Sequence, residues 1–210
     1  TITSVTQLAT GDTAVFAETY ANKDAGTLKT LTPTATISDG NSGLNYAVTL
    51  APNTTGVISQ KVVNVVAQRV FDTTMTFDVV AVTPHAPIAA SINGTVPGET
   101  LTLASGSGTV PSASAGNYTL TIGSLMLGPG TGLASNYTLL GGVHTGTIAP
   151  AGAVANLAGT RVYDGTANFT AGQFTPVITT ALGQTLTIFS GTGTVSSANV
   201  GTYVLAIGNL

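Results

Sequence analysis

Short runs in which apolar and polar residues alternate recur along the chain. Tyr118, Leu120 and Ile122 alternate with Asn117, Thr119 and Thr121; Leu101 and Leu103 alternate with Thr100 and Thr102; Leu186 and Ile188 alternate with Thr185 and Thr187. A period of two puts every second side chain on one face of a pleated strand, so each run predicts a strand with one face in a core. Tyr118 shares its face with Leu120 and Ile122, and Tyr203 with Leu205 and Ile207, which predicts both rings pointing into a core. Turn signals separate the runs, among them Asp39-Gly40-Asn41-Ser42-Gly43 and Gly128-Pro129-Gly130-Thr131-Gly132. No window carries a sustained helical stripe. The pattern predicts an all-β chain of β-sandwiches, Ig-like or Greek-key in type.

Self-comparison adds organisation to the pattern. Arg69-Val70-Phe71-Asp72-Thr73-Thr74 returns 92 residues later as Arg161-Val162-Tyr163-Asp164-Gly165-Thr166. Gly11-Asp12-Thr13 returns as Gly98-Glu99-Thr100 and again as Gly183-Gln184-Thr185, at displacements of 87 and 85. The stretch from Gly116 to Leu125 matches that from Gly201 to Leu210 at six of ten positions. Asn45-Tyr46 matches Asn136-Tyr137 at 91, and Gly56-Val57-Ile58 matches Gly146-Thr147-Ile148 at 90. One order of markers with one spacing predicts a tandem unit of about 90 residues, with copies arranged end to end. Residues 1–68 then form the later part of one β repeat, 69–160 a complete repeat and 161–210 the first part of a further one. Residues 98–103 and 183–188 should form equivalent strands.

The opening Arg161-Val162-Tyr163-Asp164-Gly165-Thr166, with Gly183-Gln184-Thr185-Leu186-Thr187 and Gly191-Thr192-Gly193-Thr194 downstream, resembles the YDG-type repeat of filamentous-haemagglutinin-like adhesins, which bacteria export by two-partner secretion. Asn136-Tyr137-Thr138-Leu139 leading to Gly146-Thr147-Ile148 is similar to the close of that unit. The earlier opening departs from the pattern, with Phe71 for Tyr and Thr73 for Gly. The resemblance implies structural stalk or spacer repeats of a large secreted adhesin. Such a stalk projects an adhesive region from the bacterial cell surface for cell–cell, biofilm-matrix or host attachment, and polysaccharide or cell-surface glycan is an implied partner. The family supplies no catalytic residues.

Composition narrows the alternatives. Hydrophobic residues make up 43% of the 210, enough apolar surface to fold rather than stay disordered. Charged residues make up only 6%, scattered singly with a net charge of −3, so no basic patch exists for nucleic acid to track. The apolar run Val62–Ala67 is interrupted by Asn64, far short of the ~18 residues of a membrane-spanning helix, and no membrane insertion is expected. With no cysteine there is no disulfide, thiolate metal site or thiol nucleophile. Low charge with abundant Thr and Ser suits exported bacterial β-proteins. Thr1 is not a start methionine and the residues near it lack the charged and apolar regions of a signal peptide, as expected of a mature chain or excised fragment.

Candidate chemistry is sparse. The two histidines, His85 in Thr83-Pro84-His85-Ala86-Pro87 and His144 after Gly141-Gly142-Val143, lie at loop edges without a nucleophile elbow and read as surface residues. Asp39-Gly40-Asn41 lacks the remaining ligands of a calcium loop and reads as a turn. Asp72 with Arg69, and Asp164 with Arg161, invite a binding role; an Asp that accepts backbone N–H bonds in a turn and pairs with its Arg is the structural alternative, and the one favoured. Gly106-Ser107-Gly108 and Gly128-Pro129-Gly130 lack the Lys-Ser/Thr of a phosphate loop. Sequons occur at Asn93, Asn117, Asn136 and Asn168. The tyrosines 20, 46, 118, 137, 163 and 203 read as packing residues whose hydroxyls reach rim partners. No enzyme activity, cofactor or metal is expected. The expected partners are adjacent repeats of the same chain and glycan. Two alternatives stay open: a carbohydrate site on loops such as 126–135, and a pilus-like subunit assembled with like chains by strand complementation.

Overall fold

The computed structural model describes residues 8–82, 86–153, 157–174, 178–180 and 183–210. These residues form strands and two short 3-10 turns, Ala134–Asn136 and Ala171–Gln173, without an α-helix. The fold is all-β, as the alternation predicts. Among the described residues no helix is long and apolar enough to cross a membrane.

The chain divides into two compact units, one of residues Thr1–Arg69, Met75–Ser112 and Gly116–Thr147, the other of Val70–Thr74, Ala113–Ala115 and Ile148–Leu210. The first unit begins with β1 (Thr13–Tyr20), β2 (Gly26–Ser38) and β3 (Asn53–Ile58), which form an antiparallel sheet. Its register runs without a break from Thr13 opposite Ser38 to Tyr20 opposite Leu31. The Tyr20 ring crosses Gly56, where an added Cβ would stand 2.7 Å from the ring edge, and its hydroxyl donates to the Val57 carbonyl at 3.1 Å.

Four strands follow: β4 (Lys61–Val62), β5 (Asn64–Val70), β6 (Thr76–Asp78) and β7 (Ala89–Asn93). Next come β8 (Leu101–Ser105), β9 (Ser107–Thr109), β10 (Gly116–Thr119), β11 (Met126–Pro129), β12 (Tyr137–Thr138) and β13 (Thr145–Ala149). The main sheet has the order β10-β13-β5-β7, while β8 pairs with β11, β6 with β9, and β4 with β12 in parallel. In β5 the buried Val65, Ala67 and Arg69 alternate with Val66, Gln68 and Val70 on the outer face. Val63, Val65, Ala67 and Phe77 are fully buried, and Leu120 and Tyr137 nearly so. Burial at 25–30 cal/mol per Å2 of apolar surface makes these side chains the main source of the unit's stability.

The second unit holds β14 (Asn168–Thr170), β15 (Ile178–Thr179), β16 (Thr185–Leu186), β17 (Thr192–Val195) and β18 (Leu205–Ala206). Its three-stranded sheet has the order β14-β17-β18, and β15 pairs with β16.

Local geometry recurs between the units at the displacements of the sequence markers. Phe77 lies opposite Gly108 across β6 and β9, and Phe169 opposite Gly193 across β14 and β17. A Cβ on Gly108 would stand 2.8 Å from the Thr121 carbonyl and 2.9 Å from Leu120; on Gly193 it would stand 2.9 Å from the Ala206 carbonyl and 2.8 Å from Leu205. Ser124 N–H donates to the Ser107 carbonyl at 2.9 Å, and Asn209 N–H to the Thr192 carbonyl at 3.2 Å. The glycines of Gly-Ser-Gly-Thr and Gly-Thr-Gly-Thr are therefore there for close strand approach.

Two expectations change. Tyr118 and Tyr203 are half-buried rather than in the core. Each ring folds back over the glycine two residues before it, with its hydroxyl oxygen 2.9 Å from where a Cβ on Gly116 or Gly201 would stand. The alternation assigns the correct face, but the ring extends past the core to cover bare backbone. Residues 98–103 and 183–188 both turn at a glycine of positive φ, +85° at Gly98 and +72° at Gly183, and then enter strands. The strands have different partners: β8 pairs with the downstream β11 and β16 with the upstream β15.

Candidate functional site

The Arg-Val-aromatic-Asp opening builds the same small structure twice. Asp72 Oδ1 accepts the Thr74 N–H at 3.0 Å and its hydroxyl at 2.7 Å; Asp164 Oδ1 accepts the Thr166 N–H at 2.8 Å and its hydroxyl at 2.9 Å. The residue between them is left-handed in both, φ +72° at Thr73 and +80° at Gly165. Arg161 pairs with Asp164 and donates to the Thr166 carbonyl. These contacts form a closed turn in which each Asp serves the backbone, as the structural alternative supposes.

The arginines have a second partner that spacing alone does not reveal. The Arg69 guanidinium stands over the Phe77 ring at 5.0 Å and that of Arg161 over Phe169 at 5.1 Å, an aromatic eight residues on in each copy. A guanidinium packed on a ring face keeps its charge while its flat surface is desolvated.

Two testable consequences follow from this turn. A β-branched residue in the left-handed region costs about 1–2 kcal/mol, only partly offset by the greater freedom glycine has when unfolded. Thr73→Gly is therefore expected to stabilise the protein by about 0.5–1 kcal/mol, read from the denaturation midpoint at unchanged slope. A negative value would show that Thr73 makes a contact worth more than its strain.

The second concerns pH. The Arg161 hydrogen bond first, then the Thr166 N–H and hydroxyl, hold the Asp164 carboxyl at about 2, below its ordinary 3.8. A depressed carboxylate stabilises the fold above its unfolded value and loses that contribution as pH falls through the folded one. Asp164 is thus expected to titrate by NMR near 2, and Arg161→Gln to move the midpoint toward 3.8. An unmoved midpoint would contradict the pairing.

A further constellation joins the Gly-acid-Thr and Asn-Tyr markers. The Tyr46 hydroxyl donates to Asp12 Oδ2 at 2.5 Å and accepts the Ala9 N–H at 2.9 Å. The Tyr137 hydroxyl donates to Glu99 Oε2 at 2.6 Å and accepts the Val96 N–H at 3.1 Å. The Glu99 carboxyl is held below its ordinary value, chiefly by Tyr137 and then by Lys23, whose Nζ lies 3.2 Å from Oε1. The same bond pushes the Tyr137 hydroxyl up. Asn136 holds the Ala25 N–H at 2.8 Å and donates to Asp24 at 3.1 Å, tying the β1–β2 turn to the motif. These tyrosine hydroxyls reach partners as the sequence suggests, and those partners are internal clamps.

His144 corrects the surface reading. It is 6% exposed, its Nδ1 accepts the Val65 N–H at 3.0 Å, and its Nε2 donates to the Leu139 carbonyl at 2.9 Å. Gly141, with φ +83°, turns the chain sharply enough to bring His144 inward at the head of β13. His85 lies outside the described residues.

The structure also describes the segment 126–135, offered in the sequence reading as a carbohydrate site. Residues 126–129 are strand β11, and Thr131 is tied to 98–100. Its hydroxyl accepts the Thr100 N–H at 2.8 Å and donates to the Gly98 carbonyl at 3.1 Å. Asp39 accepts N–H bonds from Asn41, Gly43 and Asn45, which makes the Asp39-Gly40-Asn41 segment a turn; the Gly43 bond chiefly lowers its carboxyl. Asn136 is occupied on both ends of its amide, whereas Asn93 is exposed.

One concave feature lies in the second unit. An open groove of about 460 Å3 is lined by residues 157–159 and 202–205 together with Phe169, Phe174 and Val195.

Against known families, residues 54–148 match the YDG domain. The match runs from within β3 into β13, with both the Asp72 turn and the Glu99–Tyr137 clamp inside it. No curated protein and no solved structure matches the chain.

Proposed function

We propose that the chain is a non-enzymatic stalk segment of a secreted bacterial surface adhesin, built of tandem β-sandwich repeats that hold an adhesive region away from the cell. The observation that carries the reading is recurrence. The aspartate turn, the Arg-on-Phe stack and the Gly-to-strand approach recur at the spacing of the sequence markers, beside a YDG domain at residues 54–148. Recurring contacts that tie an aspartate turn and an arginine-on-ring stack within each motif suit a spacer, because the repeated geometry then serves local stability. Membership of a filamentous-haemagglutinin-like adhesin, and attachment to cells, biofilm matrix or host, belong to this proposal.

The decisive experiment stretches a tandem polyprotein containing this chain in a force spectrometer and screens the same chain on a glycan array. A spacer gives reproducible unfolding events and no glycan signal. Saturable glycan binding lost on substitution of an exposed residue, without loss of fold, would replace the spacer by a carbohydrate-binding module.

A further inference from the structure

Within the first unit, the β1–β2 turn reaches across to loops of the repeat that follows it. On the marker spacing, Asn22 to Ala25 belong to one repeat, and Glu99, Asn136 and Tyr137 to the next. The chain passes from β3 to β4 through Ser59 and Gln60, and the Gln60 side chain donates to the Ser135 carbonyl at 3.0 Å. Next to Ser135, the Asn136 amide holds the turn at two points. Its Oδ1 accepts the Ala25 N–H at 2.8 Å, and its Nδ2 donates to Asp24 Oδ1 at 3.1 Å. Beside this fork Lys23 Nζ pairs with Glu99 Oε1 at 3.2 Å.

Both sides of the contact are braced. On the receiving side Asn136 ends the 3-10 turn Ala134–Asn136, and its N–H donates to the Leu133 carbonyl at 3.0 Å. Tyr137 beside it is 3% exposed, with its hydroxyl on Glu99 at 2.6 Å. Within the β1–β2 turn, the Asp24 N–H donates to Asn22 Oδ1 at 3.1 Å and Lys29 Nζ to the Asp24 carbonyl at 2.6 Å. A two-point contact between braced parts fixes direction as well as proximity. It is also chemically specific. A side-chain amide presents an acceptor and a donor together, and the turn offers a backbone N–H and a carboxylate oxygen to match. Aspartate at 136 would keep the acceptor but set a second carboxylate against Asp24.

We propose that Asn136 is the orienting contact of a joint between neighbouring repeats: it receives the Asn22–Ala25 turn of the preceding repeat and fixes the direction in which the β1–β3 sheet leaves the body formed by β4 to β13. The Asn-Tyr marker then has two tasks in one dipeptide. Tyr137 turns inward to Glu99, and Asn136 turns outward to the repeat before it. The joint rests on the tandem arrangement in the stalk reading and is independent of adhesion. Its failure leaves that reading to the pulling and glycan measurements, and a glycan signal there leaves the joint standing.

The test uses the full chain, which has no cysteine, so Thr36→Cys in β2 and Ser91→Cys in β7, both exposed positions, take a single pair of spin labels. Pulsed electron resonance then reads the distribution of distances between sheet and body. A narrow distribution is expected in the labelled chain and a clearly broader one once Asn136→Asp is added. Exchange at the Ala25 amide is expected to be about tenfold faster in that variant. Adding Asp24→Asn restores the net charge and rebuilds the fork with donor and acceptor exchanged, so the width and the Ala25 rate should both return toward their starting values. The Val63 amide, which donates to the Thr138 carbonyl at 3.0 Å inside the body, should exchange alike in every variant. A broad distribution in the labelled chain, an unchanged width with Asn136→Asp, no recovery with Asp24→Asn, or Val63 exchange rising together with Ala25 would each overturn the joint.

Discussion

Phe77→Ala is expected to lower the stability of the first unit by about 3–5 kcal/mol, the cost of truncating a fully buried aromatic whose surroundings relax only in part. The ring is 0% exposed, carries the Arg69 guanidinium on one face at 5.0 Å, and meets Gly146 at its edge. Removing it leaves a cavity and takes the packed face from an arginine that is itself only 8% exposed. Phe169→Ala is the internal control. The same residue type with the same arginine stack is half-buried there, so less apolar surface returns to water and the loss should be clearly smaller. Chemical denaturation of both variants checks the ordering, and equal losses would mean that the second unit's core is closed as tightly as the first.

His144→Ala is expected to cost about 2–6 kcal/mol, since it strips a buried donor and a buried acceptor of their partners at about 1–3 kcal/mol each. The Val65 N–H loses Nδ1 and the Leu139 carbonyl loses the Nε2 proton. Exchange at the Val65 amide should accelerate with the fall in stability. A surface histidine, as the loop-edge position suggests, would change stability by no more than about 0.5 kcal/mol, so the thermal melt alone separates the two placements.

The two variants mark where residue order stops being informative. Neither the 92-residue match nor the two-residue alternation singles out Phe77, because neither pairs an arginine with a ring eight positions on. The strand-turn-strand path that stacks them passes through the Asp72 turn, whose left-handed residue is Thr73 in one copy and Gly165 in the other. The burial of His144 escapes the sequence for a related reason: glycines signal a turn but not where the turn aims the next side chain. The Tyr137–Glu99 clamp joins residues 38 apart in sequence, and the groove joins segments more than forty apart.

By itself the sequence determined the class of structure. Period-two alternation, glycine at the close approaches and the absence of helical periodicity are local properties, and each acts through backbone sterics or the pleat of one strand. It also determined which markers recur, because repetition is a property of order. The tertiary structure decided which strands pair, that Tyr118 and Tyr203 cover glycines instead of filling a core, that His144 is buried, and that residues 202–205 form one wall of an open groove. The strand pairs, the burial of His144 and the groove depend on hydrogen bonds and packing between segments far apart in the chain, whereas each tyrosine meets a glycine only two residues away. Partner choice there is set by the entropy lost in closing long loops against the burial and hydrogen bonding that closure brings, and no local pattern encodes that balance.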